Sequence, residues 1–170
     1  MIILALGSNL QSKFGNRFQN IELAISKLKK NQIHIIKQSS FYETPCYPNK
    51  EDPKFINIVV EIKTDFSPEK LASILIKIEE ELARKRKNKN DPRTIDIDIL
   101  DFKQMAINFN YHNLKFIVPH KELSKRNFVL YPLIEILPEW KHPVSNCHIH
   151  LLIDNLSIEQ KNSILKINKS

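Results

Sequence analysis

A chain of 170 residues is one domain by length, able to bury a core of its own but with no room for a second. Two cysteines, Cys46 and Cys147, form neither a zinc spacing nor a Cys-x-x-Cys and read as ordinary free thiols. The net charge of +7 suits an anionic partner without choosing among nucleotide, nucleic acid and acidic surface, and most of the lysines read as solvated surface.

Met1 to Leu6 reads as a buried strand ended by the turn residues Gly7-Ser8-Asn9, an interruption too early for a secretory or membrane-spanning segment. A soluble cytoplasmic protein with no membrane partner is the expectation. Phe18, Ile21, Ile25 and Leu28 recur at helical spacing between about Asn16 and Lys30. Ile33 to Tyr42 reads as a second strand, Pro45 and Pro48 as loop, and Phe55 to Lys63 as a central third strand. Ser67-Pro68 supplies an N-cap and a first-turn proline for a helix whose inner face is Leu71, Ile74, Leu75, Ile78 and Leu82. Ile95 to Phe102 is the fourth strand. Met105 to Ile107 and Leu114 to Val118 suggest a hairpin around Asn108 to Asn113. Pro132 predicts two short helices between Lys121 and Leu137, and one more helix is expected from near Ser157. Strand, helix, strand, strand, helix, strand predicts a ferredoxin-like α+β domain, an antiparallel sheet with both helices on one face and the later helices on the other, in three layers.

The most informative stretch is Asp-Pro-Arg-Thr-Ile-Asp-Ile-Asp-Ile-Leu, from Asp91 to Leu100. Strand alternation puts Asp96 and Asp98 on one face and Ile95, Ile97 and Ile99 on the other. Two carboxylates about 7 Å apart resist burial unless a cation joins them or the face is wet. Mg²⁺ fits, because it takes one or two protein carboxylates plus substrate phosphates, and Arg93 supplies a planar cation for phosphate oxygens. A solvated acidic edge strand would explain a bare Asp-x-Asp. It does not explain Arg84 and Arg86 upstream or Pro119-His120 and Arg126 downstream. On the third strand, Phe55 and Asn57 share a face, an aromatic plane beside a carboxamide that suits a flat heterocycle. With only Gly7 and Gly15 in the chain, a Gly-rich P-loop is excluded, so phosphates must be held by side chains and metal.

These residues resemble the signature of the 6-hydroxymethyl-7,8-dihydropterin pyrophosphokinase family of folate biosynthesis, over about Leu4 to Pro138. The family pattern is Gly-Pro-Arg-Thr-(Leu/Ile)-Asp-(Leu/Ile)-Asp-Ile, and Asp91 stands here in place of glycine. The resemblance implies diphosphate transfer from ATP to the pterin alcohol, with two Mg²⁺ ions on Asp96 and Asp98. It implies that Phe55 and Phe128 sandwich the pterin while Thr44, Pro45 and Asn57 contact its edge. It implies that Glu79, Arg84, Arg86, Arg93, Ile99, His120 and Arg126 meet ATP, with Arg84 and Arg93 joining Asp96 and Asp98 in catalysis. Ile76 stands where glutamine is usual, Cys46 where a second proline is common, and the loop from Lys87 to Asp91 lacks the family's tryptophan. A monomer acting on small molecules, without nucleic acid, is expected. A ferredoxin-like RNA module would need aromatic-rich motifs on adjacent strands, which are absent, and a metal nuclease would not need Phe55, Asn57 and Phe128 together.

Overall fold

Side-chain alternation along the central strands decides where each layer lies. In β1 (Ile2–Ser8), Ile2, Leu4 and Leu6 enter one core while Ile3 and Ala5 face another. In β4 (Phe55–Lys63), Ile56, Ile58, Val60 and Ile62 join the first core and Val59 the second. The computed structural model describes residues 1–46, 49–82, 93–111 and 114–168. Among them β1 pairs antiparallel with β4 on one side and with β5 (Asp96–Phe102) on the other. Beyond β4 come β3 (Phe41–Thr44) and β8 (Leu165–Ile167), giving the order β5-β1-β4-β3-β8, with β2 (His34–Gln38) also pairing with β4.

The first face is covered by α1 (Arg17–Lys30) and α2 (Pro68–Glu81). Ser67 caps α2 ahead of Pro68 as the sequence predicts, and Asn16 opens α1 through a capping box with Gln19, so both starts satisfy orphan backbone N–H groups. The second face is covered by α3 (Asn127–Ile136) and α4 (Ile149–Asp154), which bring Val129, Leu130, Leu133, Ile149 and Leu152 against Ile3, Val59 and Leu100. This is the ferredoxin-like arrangement in three layers. No helix among the described residues is long and apolar enough to cross a membrane.

Several elements differ from the sequence reading. The first strand runs through Gly7 and Ser8 instead of turning there, because both stay paired between β4 and β5 or beside β4. The expected Ile33 to Tyr42 strand is two strands, broken at Ser39. The Ser39 backbone N–H donates to Val59 O at 3.0 Å and its hydroxyl accepts from Val59 N at 3.0 Å, replacing a strand carbonyl with a side chain. The hairpin is longer than predicted: Asn108 and Asn110, expected in its turn, lie in β6 (Ile107–Tyr111) opposite β7 (Leu114–Val118). Phe109 stacks on Phe116 at 5.0 Å between ring centroids, the apolar pair that carries pairing past the asparagines.

Pro132 does not divide the helix. It lies inside α3, and the chain breaks instead at Arg126, between a 3₁₀ turn at Leu123–Lys125 and α3. An internal proline costs about 3 kcal/mol, while each fully buried Leu or Val returns about 1.5–3 kcal/mol, so the apolar face of α3 outweighs it. The C-terminal expectation is half right. Ser157 does cap a helix, but α5 (Ile158–Asn162) is short, and α4 and β8 flank it.

Candidate active site

Register brings the sequence's chemistry into one row. Across the sheet, Asp96 pairs with Gly7, Gly7 with Asn57, and Asn57 with Tyr42, while Asp98 pairs with Ala5 in the next row. The carboxylates therefore lie two strands from the carboxamide on the α3 side of the sheet, with only Gly7 and Ala5 between. The floor is small for a reason visible in the packing: a Cβ on Gly7 would stand 2.9 Å from Asn57 Oδ1 and 3.6 Å from Phe55 Cδ1. Asn57 is buried and donates from Nδ2 to Thr44 Oγ1 at 3.1 Å, which orients the amide and turns its oxygen toward Gly7. Pro45 follows directly after β3.

Two arginines join the aromatics to the carboxylates. Arg93 Nη1 lies 2.9 Å from Asp96 Oδ2, and its guanidinium sits 5.6 Å from the Phe55 ring centroid. Arg126 Nη1 lies 3.7 Å from Asp98 Oδ2, with its guanidinium 5.5 Å from the Phe128 ring centroid. Each arginine thus spans one predicted pterin residue and one predicted metal ligand. Arg93 Nε is buried with no hydrogen-bond acceptor among the described residues, a donor suited to an incoming anion. His120 belongs to the same field. Burial, and then the nearby Arg126 charge, push its imidazole down to about 4 against the upward pull of Asp96, so it is neutral at pH 7. Its Nδ1 accepts from the Glu122 backbone N–H at 3.2 Å.

The remaining expected residues fall differently. Glu79, buried on α2, accepts from the Ile97 backbone N–H at 2.7 Å, which ties α2 to the outer edge of β5. Ile99 sends its side chain into the first core, so only its backbone can face a ligand at that edge. Arg84 and Arg86, with the loop that follows them, lie outside the described residues. Two surface hollows, of about 320 Å³ beside Trp140 and about 360 Å³ beside Ile117, are lined by neither Asp96 nor Asp98.

Sequence reasoning missed two residues that build the site. Gly7 was read as turn, although its place two residues after Ala5 at the end of a strand marks a face of small side chains. Asn9, also read as turn, is buried. Its Oδ1 accepts from Arg93 N at 2.7 Å, its Nδ2 donates to Pro53 O at 3.0 Å, and its own backbone N–H donates to Arg93 O at 3.1 Å. One asparagine so clamps the segment before β5 to the loop before β4. No local pattern announces bonds to partners that distant in sequence.

With that geometry in place, comparison with known proteins is specific. A profile described as 7,8-dihydro-6-hydroxymethylpterin-pyrophosphokinase matches residues 3–138. The chain is 40% identical over 143 residues to an Aquifex aeolicus 2-amino-4-hydroxy-6-hydroxymethyldihydropteridine pyrophosphokinase, covering 84% of each. It is 36% identical over 136 residues to the mitochondrial folate synthesis bifunctional protein of Arabidopsis thaliana, covering 80% of this chain but only 23% of that protein. In fold it is similar to a wild-type Plasmodium falciparum HPPK-DHPS crystal structure with pteroate, at a TM-score of 0.71 and 18% identity, over 90% of this chain and 43% of that one. The row from Asp96 to Asn57 lies inside the matched span, and the chain belongs to the 7,8-dihydro-6-hydroxymethylpterin-pyrophosphokinase family.

Proposed function

We propose that this chain, acting as a single domain, transfers diphosphate from ATP to the hydroxymethyl oxygen of 6-hydroxymethyl-7,8-dihydropterin, in tetrahydrofolate biosynthesis. Family membership supports the reaction. The observation that carries it here is the shared row: an oriented carboxamide and a carboxylate–arginine cluster stand on either side of Gly7. One end suits the donor and acceptor edge of a flat heterocycle, and the other suits a polyphosphate. Asn57, Thr44 and Pro45 take the pterin edge, and Phe55 and Phe128 take its faces. Arg93 and Arg126, with Arg84, Arg86 and the neutral His120, take the phosphates. Glu79 and the Ile99 backbone hold the edge of β5 beside the nucleotide.

In the reaction the hydroxymethyl oxygen bonds to the β-phosphorus and loses its proton, while the bond from that phosphorus to the α,β-bridging oxygen breaks and AMP leaves. Positioning and charge neutralisation do most of such chemistry. The donor set fits Mg²⁺: Asp96 and Asp98 are partly exposed hard oxygen ligands on one face, and no larger cluster of His, Cys, Asp and Glu occurs among the described residues. Two ions held by Asp96 and Asp98 would neutralise charge on the phosphates. Since Arg93 and Arg126 hold these carboxylates here, incoming phosphate gives the arginines an alternative anion.

The test is AMP release from ATP in the presence and absence of the pterin alcohol, for the parent chain and for Asp98→Asn. The ion pair to Arg126 that this variant weakens is long, at 3.7 Å, and partly exposed, so its melting temperature should change little while turnover falls about a hundredfold or more. Half-retained activity at saturating Mg²⁺, or AMP release indifferent to the pterin, would overturn the reading.

A further inference from the structure

Arg126 is the extended link between two helices, φ −106° and ψ 105°: its N–H donates to Leu123 O at 3.2 Å in the 3₁₀ turn, and its carbonyl accepts from Val129 N and Leu130 N at 3.0 Å in α3. A further hold on the residues flanking it comes from α5, beyond the span that the family profile matches. Gln160 Nε2 donates to Lys125 O at 2.7 Å, and Gln160 O accepts from Asn127 Nδ2 at 2.6 Å. The residues on both sides of Arg126 are therefore held by one glutamine. Gln160 Oε1 meanwhile accepts from Ser157 N at 3.1 Å, closing the capping box that orients the glutamine. Asn127, itself buried, also donates to Ser163 Oγ at 3.1 Å and accepts from Phe128 N at 2.7 Å, so the clasp reaches Phe128 as well.

Burial does not explain α5. None of its residues is buried, so its attachment to 125–127 is polar and directional. Such bonds contribute modestly to stability, about 0.5–1.5 kcal/mol each, but they define a position sharply. The position matters because Arg126 pairs with Asp98 and lies over the Phe128 ring, carrying this layer to the site.

We infer that the Gln160–Asn127 clasp is a positioning element for Arg126 and Phe128, by which the C-terminal segment sets ligand affinity without touching a ligand. This rests on the site reading above, in which Arg126 meets phosphate and Phe128 the pterin. Both move together if the clasp opens, so both ligands should feel it.

The experiment compares Gln160→Ala, Gln160→Glu and Asn127→Ala with Arg126→Ala, Phe128→Ala and the Arg126→Ala/Phe128→Ala double variant. It measures melting temperature, kcat/KM, and calorimetric affinity for the pterin alcohol and for a non-hydrolysable ATP analogue. Gln160→Glu keeps the acceptor for Ser157 but lacks the donor to Lys125, so it should lose affinity with little change in melting. Each clasp variant should lower kcat/KM about tenfold and weaken both ligands. Adding Gln160→Ala to the double variant should then change nothing further. Clasp variants that melt earlier yet keep kcat/KM within about twofold, or a Gln160→Ala effect undiminished in the double variant, would reduce the clasp to a stabilising contact and overturn the inference. If Arg126→Ala and Phe128→Ala leave both affinities unchanged, the site reading itself falls and the clasp's role with it.

Discussion

Removing the Asn9 side chain should damage the site from beneath. Asn9→Ala deletes the 2.7 Å acceptor of Arg93 N and the 3.0 Å donor to Pro53 O, while the backbone bond from Asn9 N to Arg93 O can persist. Two lost bonds at about 0.5–1.5 kcal/mol each, plus a backbone N–H left without its partner, come to about 2–4 kcal/mol. For a chain of this length that corresponds to a melting temperature lower by about 6–12 °C. The functional part is separate. Arg93 enters β5 from the clamped segment, so its guanidinium should lose its fixed aim at Asp96, and kcat/KM should fall even where the protein is fully folded. Urea denaturation gives the first number and steady-state assays well below the melting temperature the second. A stability loss under about 1 kcal/mol, or unchanged kcat/KM in a destabilised protein, would refute the clamp argument.

Gly7→Ala should fold, since Gly7 does not need positive φ, yet its Cβ would push on Asn57 Oδ1 from 2.9 Å. Pterin affinity should drop about tenfold while affinity for the ATP analogue changes little, and calorimetry showing an unaltered pterin affinity would refute the role given to the floor. His120 predicts a pH dependence. Above the usual 6.5 its imidazole is neutral in both folded and unfolded chains and contributes nothing; as pH falls from 6.5 towards about 4, only the unfolded chain takes up the proton, so stability declines. The gap is worth about 2–3 kcal/mol after allowing for partial exposure. Urea titrations in metal-free buffer between pH 4 and 7 should show His120→Asn losing less stability than the parent over that window, and parallel curves would refute it.

The parts of the fold that could be read from sequence were those with short-range periodicity. Strand alternation placed Asp96 and Asp98 together and put Phe55 with Asn57, while the apolar spacing from Phe18 to Leu28 and the cap at Ser67 marked the two long helices. Local patterns could not show that Gly7 lies between the two halves of the site, because that depends on which strands flank β1. Nor could they show Ser39 borrowing a side-chain oxygen to bend the chain, or Asn127 meeting Gln160. At Pro132 a local rule failed for the opposite reason: buried apolar packing overrode it.

The bulge where β1 meets β5, between Ile3 and Leu4, gives the aspartates of this strand two different fates. Along Asp-Ile-Asp-Ile-Leu-Asp, strict alternation would send Asp101 to the face opposite Asp98; the bulge returns it to the side of Ile3. There it is fully buried and spoken for, accepting from Trp140 Nε1 at 2.8 Å and from the Gln104 backbone N–H at 2.8 Å. What could pass for a three-carboxylate chelate is thus a two-carboxylate platform and a separate anchor for the outer layer. A divalent ion that meets only two side-chain ligands among the described residues has little reason to reside on the resting protein. On the function proposed above it would arrive with the triphosphate, and the metal complex of the nucleotide would be the species that this surface selects.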